Sequence, residues 1–506
     1  MTSIRWWATV AALAGAGAGW GQSQFWGELR AGRYGVGFRS VYQLDVARAY
    51  DPDYPAPGRA AVKKPRPIFI GVWYPAAPLQ DKSMVYRDYF RAVSVDSPVS
   101  EFAARLRKFT RDTACRYMLG KEFDKLSDDE RAGWDELLAT PVFATMDVAP
   151  AAGKFPVVIH HPGLGGTFED NAVACEYLAS HGYVVLSSAY QAADSSILNI
   201  DGDLATSVED LNFVLRYAAT LPFADVSKVA AMGHSYGAEA VLGWRARPNS
   251  PVDAVVFLDS TVEYHPLADA AQFQAALERN RNATAPVLMF ADKRRNPRFE
   301  IFDPYLQYAE RYEATVDGME HNDFVSQGAT GKGEPVRRNY EAICDLTRRF
   351  LDGYLKADGE ALKSLAGASP GGLLQVAFKA ARAAPPTSAQ VVKMYVSDVP
   401  ADLEALAALV KENDADLAVD AAALLLDGGH KLEGVSLLKW AAPLWPRSAD
   451  LQRALGEALF IVGDKAGSRA AFEKALALLP EDVTLDASQK VRIRKAVEDG
   501  FKALLK

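Results

Sequence analysis

The stretch Lys228-Val-Ala-Ala-Met-Gly-His-Ser-Tyr-Gly237, running on into Ala238 to Arg247, decides the fold. An apolar run, Lys228 to Met232, reads as a strand. The residues from Ala238 read as a helix. Between them lies Gly233-His234-Ser235-Tyr236-Gly237, a G-x-S-x-G sequence in the context that gives it meaning: strand, sharp turn, helix. A chain that reverses so abruptly holds its turn residue in a strained conformation. The two glycines omit side chains that would collide there. The serine oxygen is left standing at the end of a strand, and the helix behind it aims its first N–H groups at any negative charge that develops nearby. Ser235 is therefore a candidate nucleophile.

Working outward, short apolar strands alternate with amphipathic helices. Strands are expected at 155–159, 183–187, 226–232, 252–258, 286–290 and 312–316. Helices are expected at 169–181, 203–219 and 341–355. Such alternation specifies an α/β fold, with a mainly parallel sheet covered on both faces. Two more strands, at 35–44 and 67–74, precede it, and the Pro- and Gly-containing residues 51–64 read as the loop between them. Helical periodicity at 100–119 and 127–138 marks an insertion at about 80–150. Its two readings, a cap at the mouth of a site and a brace for the sheet edge, stand open.

The chain has 506 residues, enough for two or three domains. Its hydrophobic and charged fractions, 49% and 24%, are those of a globular protein. A net charge of −8 argues against nucleic acid or an anionic membrane as main partner. Residues 1–22 read as an export signal, so a periplasmic or secreted location is expected. Arg5 supplies the positive end, Trp6 to Gly19 is an apolar and small-residue run, and Ala14-Gly15-Ala16 and Ala16-Gly17-Ala18 within it offer small-x-small cleavage sites. That run is shorter than the ~20 residues a membrane-spanning helix needs. Cys115, Cys175 and Cys344 are too few for a disulfide framework, and Cys175 and Cys344 sit in helical patterns as small core residues. The His and Cys spacings match no zinc site, and no metal or cofactor is expected.

The α/β unit is expected over 23–380. Pro385-Pro386 lies in a linker, 381–398. Beyond it a period of 34 residues appears: Gly429 with Gly463, Gly434 with Ser468, Leu438 with Phe472, and Pro446 with Pro480. That is the tetratricopeptide spacing, so 399–506 is expected to be all-α, closed by a capping helix over 485–505. Such a region offers a surface for a protein or peptide partner, or for self-association.

A serine hydroxyl needs a base within hydrogen-bond reach, and the base needs a carboxylate to orient it. With the motif's usual chain order of serine, acid, histidine, the base lies downstream. Of seven histidines, four come at or before His234. His430 falls in the repeats. His321, in a polar loop after a strand, is the expected base, with His265 as the alternative. Asp259 and Asp292 each end a strand, and either could be the acid. One oxyanion donor is expected at the N–H of Tyr236. The other is expected in the loop His160-His161-Pro162-Gly163-Leu164-Gly165-Gly166.

These segments together resemble a known family. Gly35-Val-Gly-Phe-Arg-Ser40, Val72-Trp-Tyr-Pro75, His161-Pro-Gly-Leu-Gly-Gly166, the serine motif and Phe257-Leu-Asp259 are similar to the platelet-activating factor acetylhydrolases, within the dienelactone-hydrolase-like α/β-hydrolases. The similarity covers roughly residues 33–355. It implies a calcium-independent serine esterase or lipase with a small-molecule or lipid ester as substrate. It also implies Asp259 as the acid, His321 as the base, and Leu164 as second oxyanion donor. Pro162 departs from the family, whose members run straight from His to Gly; lacking an N–H, it leaves the donor role to Leu164. The repeat region is a second departure. A lactone- or dienelactone-type hydrolase, or an amidase, would use the same residues. A catalytically silent hydrolase fold serving as a repeat-based binding protein is the alternative outside the enzymes.

Overall fold

The computed structural model describes residues 24–50, 64–77, 84–91, 100–191, 204–247, 250–264, 271–372, 374–382 and 415–505. The expected export signal, the Pro385-Pro386 linker and His265 lie outside the described residues.

Ten strands form one sheet: β1 (Gly35–Tyr50), β2 (Lys64–Ala76), β3 (Ala144–Met146), β4 (Phe155–His161), β5 (Val184–Ser188), β6 (Ala224–His234), β7 (Val252–Leu258), β8 (Val287–Asp292), β9 (Arg311–Val316) and β10 (Leu374–Lys379). Their order is β10-β9-β8-β7-β6-β4-β5-β2-β1-β3. Neighbours from β5 through β9 run parallel. The β1–β2, β2–β5 and β9–β10 pairs are antiparallel. This is an α/β-hydrolase sheet, followed in the chain by an all-α region.

Its central strands are buried on both faces, as near-continuous apolar runs require. Alternate residues divide between two cores. Val158, Val185, Met232, Val256 and Phe290 face the side covered by the helices Ala172–Ser180 and Val336–Lys356. Val157, Leu186, Ala231, Val255 and Met289 face the side covered by Leu204–Ala218 and Tyr236–Arg245. Cys175 and Cys344 are buried free thiols in the first core.

Two strands go beyond the sequence reading. β9, the last strand expected there, is flanked by β10, and β3 adds three residues beside β1. β10 is half-exposed and follows a Gly-containing turn, so its apolar signal is thin.

The helix Ser100–Leu119 packs at two places. Phe102 stacks on Phe69 of β2 at 5.7 Å, and Leu106 joins the first core, which braces the sheet. One turn on, the Phe109 ring approaches Gly165 of the oxyanion loop. Buried Glu176 ties the pieces together. Its carboxylate accepts from Trp26 Nε1 at 2.7 Å and from the Tyr89 hydroxyl at 2.6 Å. The N–H groups of Phe143 and Ala144 also donate to it.

In the all-α region, helices Ala415–Asp427 and Ala449–Ile461 end 34 residues apart (461 − 427), and Lys431–Ala441 and Lys465–Leu478 begin 34 residues apart (465 − 431). Gly429 and Gly463 make the matching turns at φ 87° and 85°, a conformation glycine adopts without penalty. Helix Ala487–Leu504 packs over Phe472 and Ala475. Among the described residues no helix is long and apolar enough to cross a membrane.

Candidate active site

β6 ends at His234 and the helix Tyr236–Arg245 begins two residues later, so Ser235 carries the whole reversal. Its backbone lies at φ 53°, ψ −127°, outside the regions an L-residue ordinarily occupies. The glycines are required by close approach. A Cβ on Gly233 would sit 2.3 Å from the carbonyl of Gly237, and one on Gly237 would sit 2.2 Å from the carbonyl oxygen of His161. The Ser235 N–H donates to the Leu258 carbonyl at 3.1 Å, which anchors the turn to β7.

His321 opens a short 3-10 turn, His321–Phe324, just after β9. Its Nε2 lies 2.8 Å from Ser235 Oγ, and its Nδ1 lies 2.5 Å from Asp259 Oδ2. The structure thus brings Ser235, His321 and Asp259 into one hydrogen-bonded series across 86 and 62 residues of chain. The imidazole is about one-third exposed, whereas the Asp259 carboxylate is fully buried. Three contacts hold the His321 loop. His234 Nε2 donates to the His321 carbonyl at 2.9 Å, Phe324 is buried, and Arg294 donates to the Met319 carbonyl.

Asp259 follows β7 directly and is also at positive φ, 48°. Its Oδ1 accepts from the Tyr264 hydroxyl at 2.5 Å and from the Asp292 N–H at 2.9 Å. Burial alone would raise this carboxyl. Hydrogen bonds from His321, Tyr264 and the Asp292 amide outweigh it and hold the group below its ordinary value, as a carboxylate.

Asp292 is placed otherwise. Its carboxylate caps the turn Lys293–Arg295 through the Arg294 N–H at 2.9 Å and pairs with the Arg294 guanidinium at 3.2 Å. Because Arg294 reaches the Met319 carbonyl, Asp292 supports the His321 loop from outside.

Tyr236 follows the serine directly, and Leu164 packs in the same apolar cluster as Tyr236. Tyr236 is the first residue of the helix, where N–H groups have no intrahelical acceptor. The loop carrying Leu164 crosses close above Ser235, since a Cβ on Gly163 would lie 3.2 Å from the serine Cβ. The Gly166 N–H closes a turn onto the Gly163 carbonyl at 2.8 Å. Leu164, Tyr190, Tyr236 and Leu204 form an apolar cluster beside this loop.

Burial shifts other titratable groups here towards their neutral forms. Burial pushes His160 and His234 down to about 3. His160 Nδ1 meets Ser187 Oγ, and His161 Nδ1 meets the Pro162 carbonyl, so both rings support the loop structurally. Burial pushes Glu239, on the serine-bearing helix, up to about 8, and Glu263 rises well above its usual range. Among the described residues no group of His, Cys, Asp and Glu is arranged to hold a metal ion.

Sequence reasoning did not single out Tyr264, Arg294 or Arg295. They occupy irregular segments after β7 and β8, where no periodicity or spacing marks them.

No family model and no curated protein matches the chain. Among solved structures, a ferulic acid esterase from Streptomyces cinnamoneus is similar, at 18% identity and a TM-score of 0.48, over 69% of this chain and 98% of that one.

Proposed function

We propose that the protein is a serine hydrolase that cleaves carboxylic esters through an acyl-enzyme, with Ser235 as nucleophile, His321 as general base and Asp259 as the orienting acid. One observation carries this reading: Ser235 Oγ stands at the end of an Oγ–imidazole–carboxylate series of 2.8 and 2.5 Å while its own backbone is strained. Asp259 on Nδ1 leaves the lone pair of Nε2 for the serine proton. As Oγ attacks the ester carbonyl, the proton passes to Nε2 and the imidazolium is stabilised by the buried carboxylate. The N–H groups of Tyr236 and Leu164 hold the oxyanion. Protonated His321 then gives its proton to the leaving alcohol, and water repeats the sequence to free the acid.

The finer reading is a platelet-activating factor acetylhydrolase-like esterase, exported by residues 1–22 and acting on a small or lipid ester. Its support is the order of motifs from Gly35 to His321. The 34-residue recurrence of helices supports tetratricopeptide-like repeats in the C-terminal region. A groove of about 310 Å³ there, lined by Asp416, Asp450, Arg453 and Arg492, suits a peptide or a second copy of the chain.

The test is hydrolysis of p-nitrophenyl esters from acetyl to long acyl chains. Serine-dependent turnover, lost by about a thousandfold or more in Ser235→Ala, is expected. Turnover equal in the two proteins, or absent for every ester, would contradict the reading.

A further inference from the structure

Most of the chemistry at Asp259 is already accounted for by His321 and the serine, but the other side of that carboxylate is not. Oδ1 receives two donors, the Tyr264 hydroxyl at 2.5 Å and the Asp292 N–H at 2.9 Å. The same two donors are themselves linked, since the Asp292 N–H also lies 2.8 Å from the Tyr264 oxygen. The Arg295 guanidinium carbon lies over the Tyr264 ring, 3.7 Å from its centroid, and the group reaches Oδ2, the oxygen used by His321, at 3.4 Å. Tyr264 comes from the 3-10 turn Val262–Tyr264 after β7, and Arg295 from the turn after β8. Two separate segments thus close on one carboxylate.

A carboxylate with both oxygens free to rotate would let the imidazole turn with it. Saturating Oδ1 fixes the plane of the group and leaves Oδ2 facing Nδ1 of His321. A cation beside Oδ2 does something further. It offsets part of the negative field that the carboxylate sets at the imidazole. The charged and titratable groups around this pair come from every packed element. They are Asp259 and Glu263 after β7, Tyr264, Asp292 with its partner Arg294, Arg295, His234 at the end of β6, and Glu320 and Asp323 in the His321 loop. Asp292 is paired with Arg294, and burial shifts His234 down and Glu263 up, each towards its neutral form. Among these, Arg295 is the cation that touches the acid.

We propose that Tyr264 and Arg295 are positioning residues for the acid: Tyr264 locks the orientation of the Asp259 carboxylate, and Arg295, held on the Tyr264 ring, sets how readily the histidine beyond it takes up a proton. The inference rests on reading Ser235, His321 and Asp259 as the acting residues.

The experiment is steady-state hydrolysis of p-nitrophenyl acetate against pH by the full chain and by Ser235→Ala, Tyr264→Phe, Arg295→Gln and Arg295→Lys. Tyr264→Phe keeps the ring and removes one hydrogen bond to a charged group. Its kcat is expected to fall about tenfold with KM unchanged. In Arg295→Gln the loss of a cation favours the imidazolium. The acidic limb of kcat/KM is therefore expected to move to higher pH by about half a unit, and Arg295→Lys to return it most of the way. A purely structural role would lower stability and leave that limb in place. Turnover retained by Ser235→Ala would overturn the underlying reading. Turnover lost in Ser235→Ala, with Tyr264→Phe within twofold of wild type or the limb unmoved in Arg295→Gln, would overturn this proposal alone. Should Tyr264→Phe not fold, the Arg295 pair decides.

Discussion

At the scale of single residues, two aspartates at successive strand ends have different surroundings. Asp259 is buried against His321, Tyr264 and a backbone amide, while Asp292 spends its carboxylate on Arg294. Removing the charge should separate them. Asp259→Asn is expected to lower kcat by about a thousandfold or more, because the imidazole loses both its orientation and its counter-charge. Asp292→Asn should cost less than about tenfold, since it only loosens the Arg294 tie to the Met319 carbonyl. Parallel kcat measurements check this, and a reversed ranking would assign the acid to Asp292. Sequence alone left the two open, because both satisfy the same rule of a carboxylate at a strand's C-terminal end. What distinguishes them is their partners, and those arrive from other segments. Ser235 and His321 were legible for the opposite reason. Five contiguous residues encode the serine turn, and elimination among seven histidines leaves few candidates for the base.

At the scale of elements, the helix Tyr236–Arg245 is buried along its whole length and carries a carboxyl, Glu239, inside the second layer of the sheet. Burial pushes that carboxyl up to about 8. The unfolded chain would release its proton near pH 4.3. Between those values the native state therefore binds the extra proton, and stability falls as pH rises, with the contribution intact below about 4.3 and gone above about 8. Glu239→Gln should flatten the decline of Tm between pH 5 and 8, and should raise Tm at pH 8. Thermal melts across that range check it, and an unchanged slope would remove Glu239 as its source. The strands of the central sheet were readable because they are apolar throughout. β10 was not, because an edge strand buries only alternate residues, and six residues with two buried leave little pattern.

At the scale of the whole molecule, every residue of the candidate site lies between the loop after β4 and the turn after β9. The strand beside β9 comes from Leu374–Lys379, and Arg382 is still tied to Gln307 by its N–H at 2.8 Å. The described connection from this sheet to the C-terminal helices includes the ion pair of Arg279 with Asp486 at 2.8 Å. A partly exposed pair of that kind contributes about 0–1 kcal/mol. A chain ending at residue 382 is therefore expected to keep its kcat on p-nitrophenyl acetate within about threefold. One ending at residue 373 should melt lower, because β9 loses its partner and becomes an open edge. Activity abolished by the first truncation would show that the repeats complete the site. The 34-residue period was visible in glycine and proline positions, since those residues mark turns by their backbone geometry. The side chains on the faces of these helices, which would set any partner, are not encoded by spacing.

On the proposed reading Ser235 is a nucleophile made reactive by His321 and Asp259. The most direct measurement is intact-mass and peptide mass spectrometry after exposure to a fluorophosphonate, which phosphonylates an activated serine and releases fluoride. One adduct per chain is expected, on Ser235, formed slowly or not at all in His321→Ala and Asp259→Asn. No adduct on the folded protein, an adduct on another residue, or labelling of Ser235 at an undiminished rate in His321→Ala would contradict it.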